Sequence, residues 1–483
     1  MEPVHNRFGA GAAATLLHPV VAVWMLIAIV LILTLPRKKA IVPFLLAIFT
    51  IPIGQVLLVG GVHFTMMRLL ILAGLLRAAK SKTSSSERWF SAGFSPIDQV
   101  VVLWTVSAFI VISIQWMNAQ MLIASLGSFL DALGGYLVLR FFIPDGEALR
   151  RTIKVFAVVC AVQGACMIGE QITGVNVFNL VGDGGNPVEP IIRDGVLRSS
   201  GIMGPLGSGS FAGVLMPLFL WLWTEGKSQR MAAYAGLAGA AAMLITTHAS
   251  TPWMTLGAGL LALCLWPLRK RMRIVRWGIV VILVSLHLAM KAPVWHLISR
   301  LDLTGSSSSW HRYTLVNQTI LHFRDWWLLG YKYYDQWDWD MWDTSNLFVA
   351  AALTGGLVTL VLVIGVFKRS FGALGTARKR VSGDRKQEWF LWCLGSALFA
   401  CVVSCFGIAF LYQSQMLLFA LPAFISVATF EARRVTIPKV AVASGNAEGD
   451  LSLNEGRQEA GQDSVQPEFA STTDEEIKRQ FIL

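Results

Sequence analysis

The chain has 483 residues, of which 55% are hydrophobic and only 14% charged. A water-soluble domain carries roughly 25% charged residues, so the composition excludes a soluble globular protein and indicates an all-α, polytopic membrane protein. The net charge of +11 does not indicate nucleic acid, because the lysines and arginines fall in short runs between apolar segments, as the positive-inside rule produces.

A membrane-crossing helix needs about 20 mostly apolar residues. Such runs predict spans near 17–35, 40–59, 63–77, 99–117, 121–142, 153–170, 203–224, 231–248, 252–268, 274–290, 346–367, 389–409 and 412–430, about 13 helices within a range of 12–14. The first lacks a basic lead-in and a small-residue cleavage site, so it is expected to stay attached. Basic clusters such as Arg37-Lys38-Lys39, Arg269–Arg276 and Arg378-Lys379-Arg380 occupy every second loop. This alternation predicts a cytoplasmic C-terminus, an N-terminus on the opposite face, and two long outer loops at 171–200 and 291–345. Residues 1–430 form the membrane domain in this reading. The polar, Gly/Ser/Glu-rich stretch 431–483 reads as a disordered cytoplasmic tail. All six cysteines lie within apolar segments and suggest neither disulfides nor a metal site.

The first long outer loop ends in IIRDGVLRSSGIMGPLGSGSFAG. Arg193 and Arg198 precede a glycine-rich helix start, where backbone N–H groups can meet an anion and an arginine can grip a phosphate. Arg198 snorkelling at a membrane surface, with the glycines serving helix packing, explains the same residues. The hydroxyl-rich turn Thr246–Trp253 either lines the same cavity or caps its own backbone.

The second loop is the larger working surface, predicted to contain short helices. After Ser306–Ser309, the spacing to about Phe323 is helical and puts His311, Leu315, Gln318 and His322 on one stripe, with Arg312 beside it. Two histidines eleven apart do not chelate one metal, and a helix lying on the membrane surface accounts for the pattern equally. The run Asp335–Asp343 interleaves Trp337, Trp339 and Trp342 with aspartates. Flat rings stack on sugar faces, and carboxylates accept hydroxyl protons or act as a general base. Asp338-Trp339-Asp340 has a D-x-D form, a weak signal alone, and tryptophan is ordinary at membrane interfaces.

Three of these stretches together resemble the bacterial O-antigen ligase and polymerase superfamily: Arg198-Ser-Ser-Gly-Ile-Met-Gly-Pro, Arg312 followed by Arg324-Asp-Trp-Trp-Leu-Leu-Gly330-Tyr, and Asp343-Thr-Ser-Asn346-Leu leading to Leu353-Thr-Gly-Gly-Leu357. The resemblance covers residues ~20–430 as an ordered set of motifs, none specific alone. It implies a GT-C-like fold in the bacterial inner membrane, N-terminus periplasmic. It also implies an enzyme that moves a glycan from an undecaprenyl-diphosphate carrier to an acceptor glycan or glycolipid on the periplasmic side, with no metal or cofactor. Arg198 and Arg312 match the positions that hold the diphosphate. Trp337, Trp339, Trp342 and Asn346 are the glycan-binding candidates.

One departure matters: the family's ligases carry histidine where this chain has Ser345. The base must then come from Asp343, or next from His311, which favours a polymerase over a ligase. The rivals from other classes are a transporter or flippase for lipid-linked glycans, which would need ionisable residues such as Arg68, Asp131 or Glu170 along a path, and an inactive scaffold in polysaccharide assembly.

Overall fold

The computed structural model describes residues 15–83, 90, 93–182, 191–193, 195–300, 308–339 and 341–435. The chain builds α1 (Pro19–Thr34), α2 (Arg37–Ile48), a hairpin of β1 (Val56–Val59) and β2 (Val62–Thr65), α3 (Met66–Thr83) and α4 (Pro96–Trp116). Next come α5 (Ala119–Phe129) and α6 (Gly135–Phe142), joined through a π-helical turn at Leu130–Gly134, then α7 (Gly146–Thr173) and a second hairpin of β3 (Ile192–Arg193) and β4 (Val196–Leu197). There follow α8 (Gly204–Thr224), α9 (Lys227–Thr246), α10 (Ser250–Cys264), α11 (Met272–Ala289), the short α12 (Leu297–Arg300), α13 (Ser308–Leu321), α14 (Phe323–Trp326), α15 (Leu347–Arg380), α16 (Arg385–Ser404) and α17 (Gln415–Val435).

Each of the predicted apolar segments contains a helix, and among the described residues eight helices are long and apolar enough to cross a membrane. These are Pro96–Trp116, Ala119–Phe142, Gly146–Thr173, Gly204–Thr224, Trp266–Ala289, Leu347–Arg380, Arg385–Ser404 and Tyr412–Arg433, with Pro19–Thr34 a shorter apolar helix. The segment expected to span 40–59 departs most from the sequence reading. Its helix stops at Ile48 after 12 residues, about 18 Å by helix rise, which falls short of a hydrocarbon core of about 30 Å. Residues 56–65 instead pair as an antiparallel hairpin, Val56 opposite Thr65 and Val59 opposite Val62. Two apolar, β-rich quartets around Gly60-Gly61 are a hairpin signal, which hydropathy alone reads as helix. At the other end, α17 runs to Val435, past the expected boundary at 430. The tail from 436 lies outside the described residues.

Charge pairing and caps fix the bundle locally. Ser95 caps α4, its hydroxyl accepting from Asp98 N at 3.2 Å while Asp98 Oδ2 accepts from Ser95 N at 2.6 Å, a reciprocal capping box. The same Asp98 accepts from Arg140 Nε of α6 at 2.8 Å and from the Tyr136 hydroxyl. All three side chains are buried, so a charge that would be costly alone is fully hydrogen-bonded. One continuous apolar core runs through most of the bundle. By contrast α11 buries none of its residues.

The second long loop folds against the end of α15 through its own small core of Leu315, Trp326, Met341, Val349, Ala352 and Leu353. The helical stripe of the sequence reading therefore turns inward. Leu315 is fully buried and Gln318 Nε2 donates to Asp338 Oδ2 at 3.1 Å. His322 stacks on Trp337 with centroids 4.4 Å apart. Helix α13 rests on this core rather than lying with that stripe on a membrane surface.

What locks the loop to α15 is an exchange of hydrogen bonds. In an unbroken helix, Leu357 N would donate to Leu353 O, four residues back. Here Leu357 N donates to Trp327 O of the loop at 2.8 Å, and Leu353 O accepts from Tyr331 N at 2.8 Å. Trp327 and Tyr331 are themselves four apart, so each segment completes the turn that the other leaves open. Gly330 and Gly356 both have φ of 68°, and a Cβ on either would meet the partner segment's backbone carbonyls, Leu353 O or Leu328 O. Gly356→Ala combines a left-handed conformation with a backbone collision, expected to cost about 2 kcal/mol or more. Thermal unfolding of the purified protein should show a melting temperature several degrees lower, whereas Gly372→Ala, whose Cβ meets nothing, should leave it unchanged or slightly raised.

Candidate functional site

Several helix ends and both long loops meet around a cavity of about 310 Å³ lined by Arg193, Arg198, Leu206, Ala249, Ser250, His311, Arg312, Trp339, Asp343, Ser345 and Gly407. The loop at 191–198 contributes two arginines for a reason of strand geometry. In the β3–β4 hairpin Arg193 pairs with Val196, and Arg198 N donates to Ile191 O at 2.9 Å one step further along. With side chains alternating along a strand, Arg193 and Arg198 fall on the same face.

The segment after Arg198 is held from below. Glu170 of α7 accepts from Ser200 N at 2.9 Å and Gly201 N at 3.0 Å, and Gln163 Oε1 accepts from Ile202 N at 3.3 Å. The amides ahead of the glycine-rich helix thus do meet an anion, but it is the chain's own carboxylate. The expectation of open N–H groups is thereby corrected for Ser200, Gly201 and Ile202, and it now rests on the first turn of α8 from Gly204. Ser199 completes the brace, its N donating to Thr246 O at 3.0 Å and its hydroxyl to Met167 O at 3.0 Å.

Arg312 comes from the opposite wall, on α13, and is buried. Its Nη2 donates to Ser250 Oγ at 3.0 Å and Thr251 Oγ1 at 2.7 Å at the start of α10. The hydroxyl-rich turn thus divides between the two readings given for it. Thr246 and Thr247 bond to backbone carbonyls of their own helix, while Ser250 and Thr251 seat the arginine. Gly407, beyond α16, closes the seat: a Cβ there would come within 2.6 Å of Thr251 Oγ1 and 3.2 Å of Arg312 Nε. The role of Gly407 left no mark in the sequence, since the contact joins residues far apart in the chain.

Next to Arg312, the ring of His311 reaches toward the entry of α15. His311 Nε2 lies 3.3 Å from Ser345 Oγ and 3.8 Å from Asp343 Oδ2. An imidazole thus occupies the neighbourhood of position 345, delivered from α13 rather than from the α15 entry. Asp343 is half-exposed at the cavity edge, and His311 is more enclosed. A neutral imidazole beside a carboxylate can take a proton and be stabilised as the cation.

The remaining candidates separate. Trp339 lines the cavity and is 81% exposed, offering an open ring face. Trp337 stands in a parallel stack between His322 and Tyr331, the latter with centroids 5.2 Å apart. Trp342 is exposed and is not among the residues around the cavity. Asn346 is buried, its Oδ1 accepting from Phe348 N and Val349 N as the cap of α15. Asp338 is engaged by Gln318 Nε2 and by Trp339 N, and Asp340 lies outside the described residues.

The described lining therefore sets three arginines against one aspartate, with hydroxyls, a histidine and an open indole. That chemistry suits a polyanion with a polar, ring-bearing substituent. The chain matches no known protein-family model and no curated protein. Thr251→Val keeps the shape of the seat and removes one hydrogen bond to a charged group, expected to weaken inorganic pyrophosphate binding about tenfold. Titration calorimetry on the purified protein reads this directly. Unchanged affinity would mean that Arg312 does not depend on its seat.

Proposed function

We propose that the chain is a glycosyltransferase of the bacterial inner membrane. In this reading it joins an undecaprenyl-diphosphate-linked oligosaccharide to an acceptor glycan on the periplasmic side, in the manner of an O-antigen or exopolysaccharide polymerase. With it goes a GT-C-like bundle of about 13 spans, N-terminus periplasmic and C-terminus cytoplasmic. The observation that carries the proposal is that Arg198 and Arg312, from two different loops, line one cavity together with His311, Asp343 and Ser345.

The chemistry divides accordingly. His311 Nε2, with Ser345 Oγ 3.3 Å away, takes the proton of the acceptor hydroxyl, and the Asp343 carboxylate 3.8 Å from it stabilises the imidazolium that forms. The freed oxygen attacks the anomeric carbon, and the bond from that carbon to the diphosphate oxygen breaks with inversion. The leaving diphosphate carries the electron pair, and its growing charge meets Arg198 and Arg312, the latter already seated by Ser250 and Thr251 before the reaction. Trp339 supplies the platform for a sugar ring at the cavity edge. The 3.3 Å approach of His311 Nε2 to Ser345 Oγ supports an imidazole as the base beside position 345. For a transport path the charged side chains among the helices are poorly disposed. Arg68 Nε is 3.1 Å from Asp131 and Arg140 is paired with Asp98, while Glu170 is spent on backbone amides.

The test is turnover of an undecaprenyl-diphosphate oligosaccharide by the reconstituted protein, reading free undecaprenyl diphosphate and glycan length together. Wild type should produce both, and Arg198→Ala, Arg312→Ala and His311→Ala should each lower the rate about a hundredfold or more, the scale for removing a group that stabilises developing charge or moves the proton. Release only in the presence of lipid A–core would make the protein a ligase. No release with any acceptor would leave the transporter or the scaffold.

A further inference from the structure

The exchange of hydrogen bonds between loop and helix leaves a short apolar segment facing outward. Trp327, Leu328 and Leu329 are all exposed, Leu328 by 59%. Their backbone is fixed at both ends through Trp327 O and Tyr331 N, so the side chains cannot fold back into the loop. The segment is also continuous with the end of α4, a helix long and apolar enough to cross a membrane. Gln115 Nε2 donates to Leu329 O at 3.1 Å. Beside it Trp116 and Met117 are exposed as well, and Lys332 Nζ lies 5.5 Å from the centre of the Trp116 ring.

A crossing helix that ends at Trp116 marks where hydrocarbon gives way to headgroups on that side. Tryptophan and lysine are what such a boundary collects, the ring at headgroup level and the ammonium reaching for phosphate. From Trp326 to Tyr334 the sequence WWLLGYKYY holds no acidic residue, and of the flanking Asp325 and Asp335 the first lies 3.0 Å from His322 Nδ1. We propose that Trp327, Leu328 and Leu329 form a knuckle that inserts into the lipid leaflet beside the end of α4, with Lys332 at the phosphate level. The partner is the phospholipid surface itself. The inference rests on the chain being a membrane protein and not on glycan transfer. The knuckle ties the loop that carries His311 and Arg312 to the bilayer at a point remote in sequence from both ends of that loop.

The experiment uses the full wild-type chain in phosphatidylcholine nanodiscs containing a phosphatidylcholine with a diazirine at the glycerol end of one acyl chain. After irradiation, adducts are mapped by peptide mass spectrometry. Adducts are expected on residues 327–329 as well as on Trp116, and absent from Trp339. Leu328→Asp combined with Leu329→Asp is expected to abolish those on the knuckle and keep those on α4. Adducts on α4 with none on 327–329 in the wild type would overturn the proposal and mean that another protein surface, such as a second copy of the chain, covers the knuckle.

Discussion

Two backbone hydrogen bonds that cross between the second long loop and α15 decide where the cavity-lining residues of that loop lie. A helix of 34 residues such as α15 satisfies its own backbone except at its ends. Opening it at Gly356 exposes one carbonyl and one amide in apolar surroundings, and each left unpaired would cost several kcal/mol. The loop can repair both only by presenting a carbonyl and an amide at the same four-residue separation, as Trp327 and Tyr331 do. That requirement leaves the loop almost no freedom in register. With the register fixed, the core of Leu315, Trp326, Met341 and Val349 closes, and His311 and Arg312 come to rest over the ends of α10 and α15.

The site is accordingly a meeting of rigid parts. Arg312 is seated by hydroxyls of α10, Arg193 and Arg198 share a face of a hairpin, and the Arg198 segment is braced by Glu170 and Gln163. A guanidinium seated in advance, as that of Arg312 is, needs little reorganisation to meet an anion in the cavity. The aromatic run of the loop serves two ends: Trp337 is consumed in building the loop, stacked between His322 and Tyr331, and Trp339 is left open at the cavity. Alternation of tryptophan with aspartate marks both residues in the same way, so the sequence could nominate them together but not divide them.

Much of the helix content was legible because hydrophobic runs of bilayer length have few other uses. Where legibility failed, a second code was hidden beneath hydropathy. The quartets VLLV and VHFT around Gly60-Gly61 are apolar enough to pass for helix and are a hairpin. The arginines stood out as isolated charges beside glycine-rich or helical stretches, and five of the candidate residues, Arg198, Arg312, His311, Trp339 and Asp343, line the same cavity. Gly407, the Ser250–Thr251 seat and the exchange at Gly330 and Gly356 depend on contacts between distant segments. Glycine in a sequence says that something special is permitted, and only the fold says what approaches it. Asn346 shows the converse: a polar residue beside the site whose side chain is absorbed by the first turn of the following helix, as caps generally are.

The buried trio of Asp98, Tyr136 and Arg140 has a bearing on the order in which the chain can assemble. Asp98 and Arg140 are 42 residues apart, so during synthesis one charge is available well before the other. Asp98 stands in the first turn of α4 and Arg140 in the last turn of α6, and the two leave each other neutral as a pair only when those helices lie side by side. The shortest piece of this chain that carries Asp98 together with its countercharge is therefore the whole stretch from Ser95 to Phe142. It is a unit of assembly whose second arm supplies the countercharge for the first.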